Sequence, residues 1–182
     1  MDRSHVAALL DAHTPADAEE HGALSTIRRV LAETPPSVDL FDKRQTTPGH
    51  FTASAVVVSP DRQHVLLIHH PAFGLWIQPG GHTDPTDRSL PEAAARELRE
   101  ETGLTAPLLG LLDVAVHRVP DGIKGQPAHL HLDLRFAFTV SMEPPPSGDI
   151  PARWFPVNTL HQVQTDDSVR RAVRRLGGVS PA

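Results

Sequence analysis

Cysteine and tyrosine are absent from this 182-residue chain, and aromatic residues make up only 4% of it. Without cysteine there is no disulfide and no thiolate, whether as nucleophile or as metal ligand, which fits a reducing compartment such as the cytoplasm. No apolar run approaches the ~20 residues that a membrane span needs. The first residues, Met1-Asp2-Arg3-Ser4-His5, begin no apolar stretch of signal length. A cytoplasmic protein without membrane contact is therefore expected. Long basic runs are missing as well. The formal net charge is −5, and cations gather no further than short pairs such as Arg170-Arg171 and Arg174-Arg175, which argues against nucleic acid as a partner. At helical spacing near the C-terminus, those pairs read as the solvated end of a helix.

The rest of the composition is that of a globular protein. Hydrophobic residues at 39% and charged residues at 21% suffice for a buried core in one domain, alone or with an extension. Eighteen prolines point to stiffened connections. Apolar residues recur at i, i+3 and i+4 over residues 5–13 and 16–33 (Val6, Leu9, Leu10; Leu24, Ile27, Val30, Leu31), predicting two helices, the second stopped by Pro35-Pro36. An irregular connector over 35–50 leads to a strand over 51–59, a turn at Pro60-Asp61-Arg62, and a second strand through Val65-Leu66-Leu67-Ile68. Leu75-Trp76-Ile77 reads as a short strand halted by Pro79 and a Gly80-Gly81 loop. Further strands are expected over 108–119, 128–140 and 152–156, with a loop over 120–127 and an extended stretch over 142–148. Two helices close the chain, one from Asn158 and a last one capped by Asp166 or Asp167 and carrying Val169, Val173 and Leu176. Strands before and after a helix, followed by a terminal helix, read as α+β or α/β with a mixed sheet.

The segment richest in chemistry lies between the strands. Ser89 and Glu92 fit a capping box, Pro91 sits in the first turn, and Gly103 is placed to end the helix. Inside it, Glu97, Glu100 and Glu101 occupy positions i, i+3 and i+4, which share one face. Like charges so placed repel by about 0.2–0.5 kcal/mol per pair, and a chain that needed only a stable helix would alternate signs. Carboxylate oxygens are what Mg²⁺ (or Mn²⁺) prefers, so this face reads as a metal site to which a diphosphate substrate brings its own oxygens. Ala94, Ala95 and Leu98 form an adjacent arc suited to a sheet, while Glu92 and Arg99 fall on the solvated side. Arg96, at the edge of the acidic face, either orients a catalytic glutamate or neutralises it. Gly80 and Gly81 permit close backbone approach, so a carbonyl or amide of this loop can face a bound ion.

A second constellation alternates with period two: His129-Leu130-His131-Leu132-Asp133-Leu134-Arg135-Phe136. One face carries His129, His131, Asp133 and Arg135. It reads as a transition-metal site, as a pocket wall for phosphate or ribose oxygens, or as a half-exposed strand surface, and the residues alone leave all three open. His82, directly after the two glycines, is the best of the remaining histidines as a site-lining residue. His117 is another candidate, whereas His69 and His70 read as a strand end.

The stretch from Gly81 to Leu104 resembles the signature of the Nudix hydrolases, G-x5-E-x7-R-E-U-x-E-E-x-G-U, where U is a bulky aliphatic residue. Its second half matches throughout: Arg96, Glu97, Leu98, Glu100, Glu101, Gly103, Leu104. In the first half, counting forward from Gly81 puts the signature's first glutamate on Asp87, and counting back from Arg96 puts it on Arg88. One residue is therefore inserted, and the acid is shortened if Asp87 fills its place. The segments Gly49-His50-Phe51-Thr52-Ala53-Ser54-Ala55 and Trp76 to His82 resemble a bacterial Nudix subgroup. The isopentenyl-diphosphate isomerase branch needs a catalytic cysteine and the dinucleoside-polyphosphate branch a tyrosine, and this chain has neither. An ADP-ribose-type branch has a proline about 16 residues past the signature, where Pro120 stands.

The resemblance implies an α/β/α sandwich over residues 49–182, preceded by an N-terminal helical extension, residues 1–48. It implies a hydrolase that cuts a phosphoanhydride bond in a nucleoside diphosphate linked to another moiety. Glu97, Glu100 and Glu101, with the Gly80 carbonyl, would hold Mg²⁺ or Mn²⁺, and Arg96 would belong to the catalytic set. His82, His129, His131, Asp133 and Arg135 would line the substrate. Such enzymes often add one distal acid, for which Asp133, Glu143 and Asp149 are available. A catalytically silent nucleotide sensor on the same fold is the alternative, and a homodimer is left open.

Overall fold

The computed structural model describes residues 1–71, 73–122, 125–148 and 150–176. Two amphipathic helices come first, α1 (Arg3–Asp11) and α2 (Ala18–Glu33), each opened by an aspartate whose carboxylate accepts a backbone N–H: Asp2 from Ser4, and Asp17 from Glu20. Strands β1 (Gly49–Val58), β2 (His64–His70), β3 (Leu75–Ile77) and β4 (Gly80–His82) precede helix α3 (Leu90–Thr102). After it come β5 (Leu108–Val119), β6 (His129–Thr139), β7 (Ala152–Pro156), a 3-10 turn over Val157–Gln162, and α4 (Asp167–Leu176).

All seven strands form one mixed sheet with the backbone order β3-β2-β1-β6-β5. The long central pair, β1 and β6, runs parallel over ten registered residue pairs, from Gly49 opposite Leu130 to Val58 opposite Thr139. On its other edge β1 takes both β2, at Val57 and Val58, and β4, at Thr52 to Ser54. The Gly80-Gly81-His82 segment expected as a loop is therefore a strand. Glycine carries no strand propensity, and only the free edge of β1 recruits it.

The pleat sorts β1 by parity. Phe51, Ala53, Ala55 and Val57 join Leu90, Ala93, Ala94 and Leu98 of α3, together with Val6, Leu10, Leu24, Ile27 and Val30 of the first two helices. Val56 and Val58 pack on the opposite side against Leu160 and α4, through Val169, Ala172, Val173 and Leu176. These are the two helical layers of an α/β/α sandwich. Helix α2 also covers the outer edge of β5, where buried Glu20 accepts the Val114 N–H at 3.3 Å. That blunts an edge otherwise open to pairing. No helix among the described residues is long and apolar enough to cross a membrane.

The C-terminal arginines divide between two environments. Arg174 is exposed, but Arg171 is buried, held by Asp113 at 3.0 Å and by Glu19 at 2.8 Å. Arg175 reaches the buried Glu20 at 2.7 Å. The expected solvated helix end is thus one exposed arginine beside an ion-paired seam between α2, α4 and β5. An arginine–acid pair bridging two elements has no periodic signal of its own. Asp166 accepts the Ser168 N–H at 2.7 Å and is the cap of α4.

Candidate active site

Helix α3 is delimited as its residues dictate. The Ser89 hydroxyl accepts the Glu92 N–H at 3.3 Å, and Gly103 ends the helix in the left-handed region with φ 72°. Glu92 does not complete the capping box. Its carboxylate instead accepts the backbone N–H of Arg88 at 2.9 Å and pairs with that residue's exposed guanidinium.

The acidic face of α3 meets β4. The Glu101 carboxylate accepts the Gly80 N–H at 3.0 Å, and a Cβ on Gly81 would stand 2.9 Å from the Glu97 carboxylate. Any larger residue there would force the Glu97 carboxylate to move. Burial pushes both acids up. Burial raises Glu97 above its ordinary value even though Arg96 pulls it down, with Glu100 and Asp87 adding to the rise. Glu101 is pushed to about 7 by burial and by the charges of Glu97 and Glu100, against the pull of the Gly80 N–H. Glu100 is the exposed member of the three.

Arg96 ties this cluster together. Its Nε and Nη2 donate to Asp87, each at 3.0 Å, and its Nη1 donates to Glu97 at 2.8 Å and Glu100 at 2.9 Å. Nη2 also donates to the His82 carbonyl at 2.9 Å. The guanidinium therefore both orients and neutralises, and joins the helix to the loop ahead of it. Of the two candidate positions for the signature's first acid, Asp87 is buried and faces Arg96, while Arg88 is exposed.

The histidine and acid face of β6 is more buried than a half-exposed strand would be. Asp133 is 3% and Arg135 1% exposed. Asp133 accepts from the Thr52 hydroxyl at 3.1 Å, from that of Ser54 at 2.9 Å, and from Arg135 Nε at 2.9 Å. Burial alone would raise this carboxyl, but Arg135 and His117 nearby bring it below its ordinary value. Arg135 continues to Ser168 at 2.7 Å and His117 at 3.0 Å. These two residues, expected to line the substrate or supply a distal acid, are instead spent on a buried network tying β1, β5, β6 and α4. Buried charges persist only when paired in this way.

His82, His129 and His131 do come together, joined by His50, which no local pattern marks as a site residue. Its only signal was parity: it shares a face of β1 with Thr52 and Ser54, opposite His131 in the parallel register. His69 and His70 lie elsewhere, against Trp76 and Phe73. Of the other distal acids, Glu143 is exposed, and Asp149 falls outside the described residues.

A sheet sandwiched by helices, with an acid-lined helix docked on a glycine strand, defines a class that comparison with known proteins makes specific. Residues 49–176 match the NUDIX domain, and the chain belongs to that family. It is 42% identical over 59 residues to a putative 8-oxo-dGTP diphosphatase of Bacillus subtilis, covering 32% of this chain and 39% of that protein. It is 34% identical over 105 residues to an 8-oxo-(d)GTP phosphatase of Mycolicibacterium smegmatis, covering 52% of this chain and 32% of that protein. The chain thus spans about two fifths or less of the curated relatives it matches. In fold it is similar to the NUDIX domain of Shewanella oneidensis NrtR complexed with ADP ribose, with a TM-score of 0.57, 21% identity, and coverage of 83% of this chain and 96% of that one.

Proposed function

We propose that this chain is a divalent-cation-dependent hydrolase that cuts a phosphoanhydride bond in a nucleoside diphosphate linked to another moiety. The observation that carries the reading is the convergence of Glu97, Glu100 and Glu101 beside the Gly80-Gly81 backbone, two of them with raised proton affinity. Hard oxygen donors at this density fit Mg²⁺ or Mn²⁺. Glu97, Glu100 and Glu101 would hold the ion, with the Gly80 carbonyl as a further donor. A bound ion supplies neutralisation of diphosphate charge and a water of lowered pKa. Arg96 fixes the positions of Glu97 and Glu100, and one of the helical acids receives the proton of the attacking water, since Asp133 is enclosed by its own partners. His82, His129 and His131 lie on the face of the sheet that carries Thr52 and Asp133, and the link from the carboxylate cluster to them is the His82 carbonyl held by Arg96. Catalysis falls to residues 49–182, with 1–48 as a helical extension packed on them.

A nucleotide sensor that binds without cutting is the second reading, favoured by the fold's likeness to the NrtR domain. Incubation of the purified protein with Mg²⁺ or Mn²⁺ and a panel of ADP-ribose, nucleoside triphosphates, dinucleoside polyphosphates, nucleotide sugars and coenzyme A separates the two. Release of phosphate or a nucleoside monophosphate from one member is expected. Metal-assisted charge stabilisation is worth several kcal/mol, so Glu101→Gln should lower turnover by roughly 10²–10⁴-fold. Binding without turnover across the panel supports the sensor, and an unchanged rate in the variant removes Glu101 from the metal set.

A further inference from the structure

We infer that His50, His82 and His131 form a binding site for one borderline divalent transition ion of the Zn²⁺ type, separate from the carboxylate helix. The three residues sit on adjacent strands, β1, β4 and β6, and one ring nitrogen from each lies within 4.8 Å of the others. In the sheet, His50 registers with His131, and His82 registers with Thr52, two residues along on the same face of β1. The rings already touch. The His50 centroid is 5.0 Å from that of His82 and 4.8 Å from that of His131, and His82 meets His131 at 5.0 Å.

The tautomer of His50 follows from its surroundings. Its Nδ1 lies 2.8 Å from the Gln45 carbonyl, which only accepts, so Nδ1 carries the proton. The Nε2 lone pair then faces the interior, where the side chain is wholly buried and that nitrogen has no hydrogen-bond partner. A buried acceptor left unmatched costs about 1–3 kcal/mol, and a metal ion satisfies it. Anchoring one ring nitrogen on a carbonyl so that the other is presented as a ligand is the usual support for metal-bound histidine. His129 repeats the device, with Nδ1 2.8 Å from the Pro127 carbonyl and Nε2 turned to His131 Nε2 at 3.3 Å.

The chemistry of the donors matches. Burial disfavours the charged ring at His50 and His131, and at His131 the neighbouring imidazoles act in the same direction. Imidazole nitrogens select Zn²⁺, Co²⁺ and their neighbours over Mg²⁺, whereas the carboxylates of α3 select the reverse. Tetrahedral Zn–N bonds of about 2.0–2.1 Å put ligand nitrogens about 3.3 Å apart, within reach of small ring rotations from the present spacing. Three histidines leave one position for water or an oxygen ligand. The site also bears on the neighbouring cluster, because the His82 carbonyl is held by Arg96.

This assignment stands whether or not the chain cleaves phosphoanhydrides. Metal-stripped protein titrated with Co²⁺ should take up one equivalent with the visible absorption of a tetrahedral nitrogen site, displaced by Zn²⁺ but not by Mg²⁺. Glu97→Gln should keep that signal, while His50→Gln and His82→Ala should each weaken binding by at least about 100-fold, since even losing a ligand's outer support costs 10–100-fold. Circular dichroism reports whether the variants fold. No stoichiometric uptake, retention in both histidine variants, or loss in Glu97→Gln would each overturn the site. Should a histidine variant fail to fold, zinc K-edge X-ray absorption of the unmutated protein decides: three or more imidazole shells uphold the site, and oxygen ligands alone refute it.

Discussion

Replacing Glu101 by glutamine should make the metal-free protein more stable, and only at neutral or alkaline pH. The glutamine amide oxygen can still accept the Gly80 N–H, so the perturbation removes the charge and keeps the contact. In the folded protein the Glu101 carboxyl is raised from 4.5 to about 7. A raised carboxyl favours the folded state below pH 4.5, where it is protonated in both states, and this contribution is lost as pH climbs through about 7. At 1.36 kcal/mol per pH unit the full rise corresponds to about 3 kcal/mol, and partial exposure of the group reduces it to roughly 1–3 kcal/mol.

Urea denaturation in the presence of a chelator, at pH 5 and pH 8, isolates this effect. The variant and the parent should nearly coincide at pH 5. At pH 8 the variant should gain roughly 1–3 kcal/mol, or about 2–10 °C in Tm for a domain of this size. Excess Mg²⁺ should close the gap by stabilising only the parent, by about 2.7 kcal/mol at a hundredfold excess over Kd. A variant no more stable than the parent at pH 8, or a gain of equal size at both pH values, would refute the claim that α3 holds uncompensated negative charge.

Gly81→Ala places a methyl 2.9 Å from the Glu97 carboxylate, so Glu97 must shift. Mn²⁺ affinity measured by calorimetry should fall by tenfold or more, in order of magnitude, with the fold kept, because a sub-ångström displacement of a site group is costly. Arg171→Met leaves Asp113 buried with Arg135 as its remaining cation, and should cost roughly 3–5 kcal/mol in denaturant unfolding.

What could be read from the sequence followed from local rules. Helix α3, its Ser89 and Gly103 caps, and strands β2, β3, β5 and β7 obey propensity and periodicity within a dozen residues, so their limits agree to within a residue or two. The shared face of Glu97, Glu100 and Glu101 needs only helical geometry. What escaped depends on pairing between distant segments. Strand β4 exists because β1 offers an edge to a glycine pair, and His50 meets His131 through a parallel register joining residues 81 positions apart. Asp133 and Arg135 look like pocket residues in a lone alternating strand. Once β1 and β5 flank that strand, both sides of it are covered, and the same polarity becomes an internal ion pair. Arg171 misled for a similar reason, since the acids that bury it come from α2 and β5.

The irregular first half of the signature finds its physical reason in Arg96. The chain has one residue more than the pattern allows, and an acid one methylene shorter. Asp87, the earlier of the two candidate positions, is buried and doubly bonded to Arg96, while Arg88 leaves for the surface with Glu92. Arg88 therefore stands between Asp87 and the Ser89 cap without joining the Arg96 network. Arg96 consequently divides itself among Asp87, Glu97 and Glu100, while Glu101 has only a backbone N–H. Four carboxylates against one guanidinium leave three formal negative charges when all are ionised, at a place where burial already resists charge. A protein relieves such an excess either by holding protons, as Glu101 does near neutrality, or by binding a multivalent cation. The second is the state in which a phosphoanhydride would be met, and the balance between the two is what the pH dependence of Glu101→Gln measures.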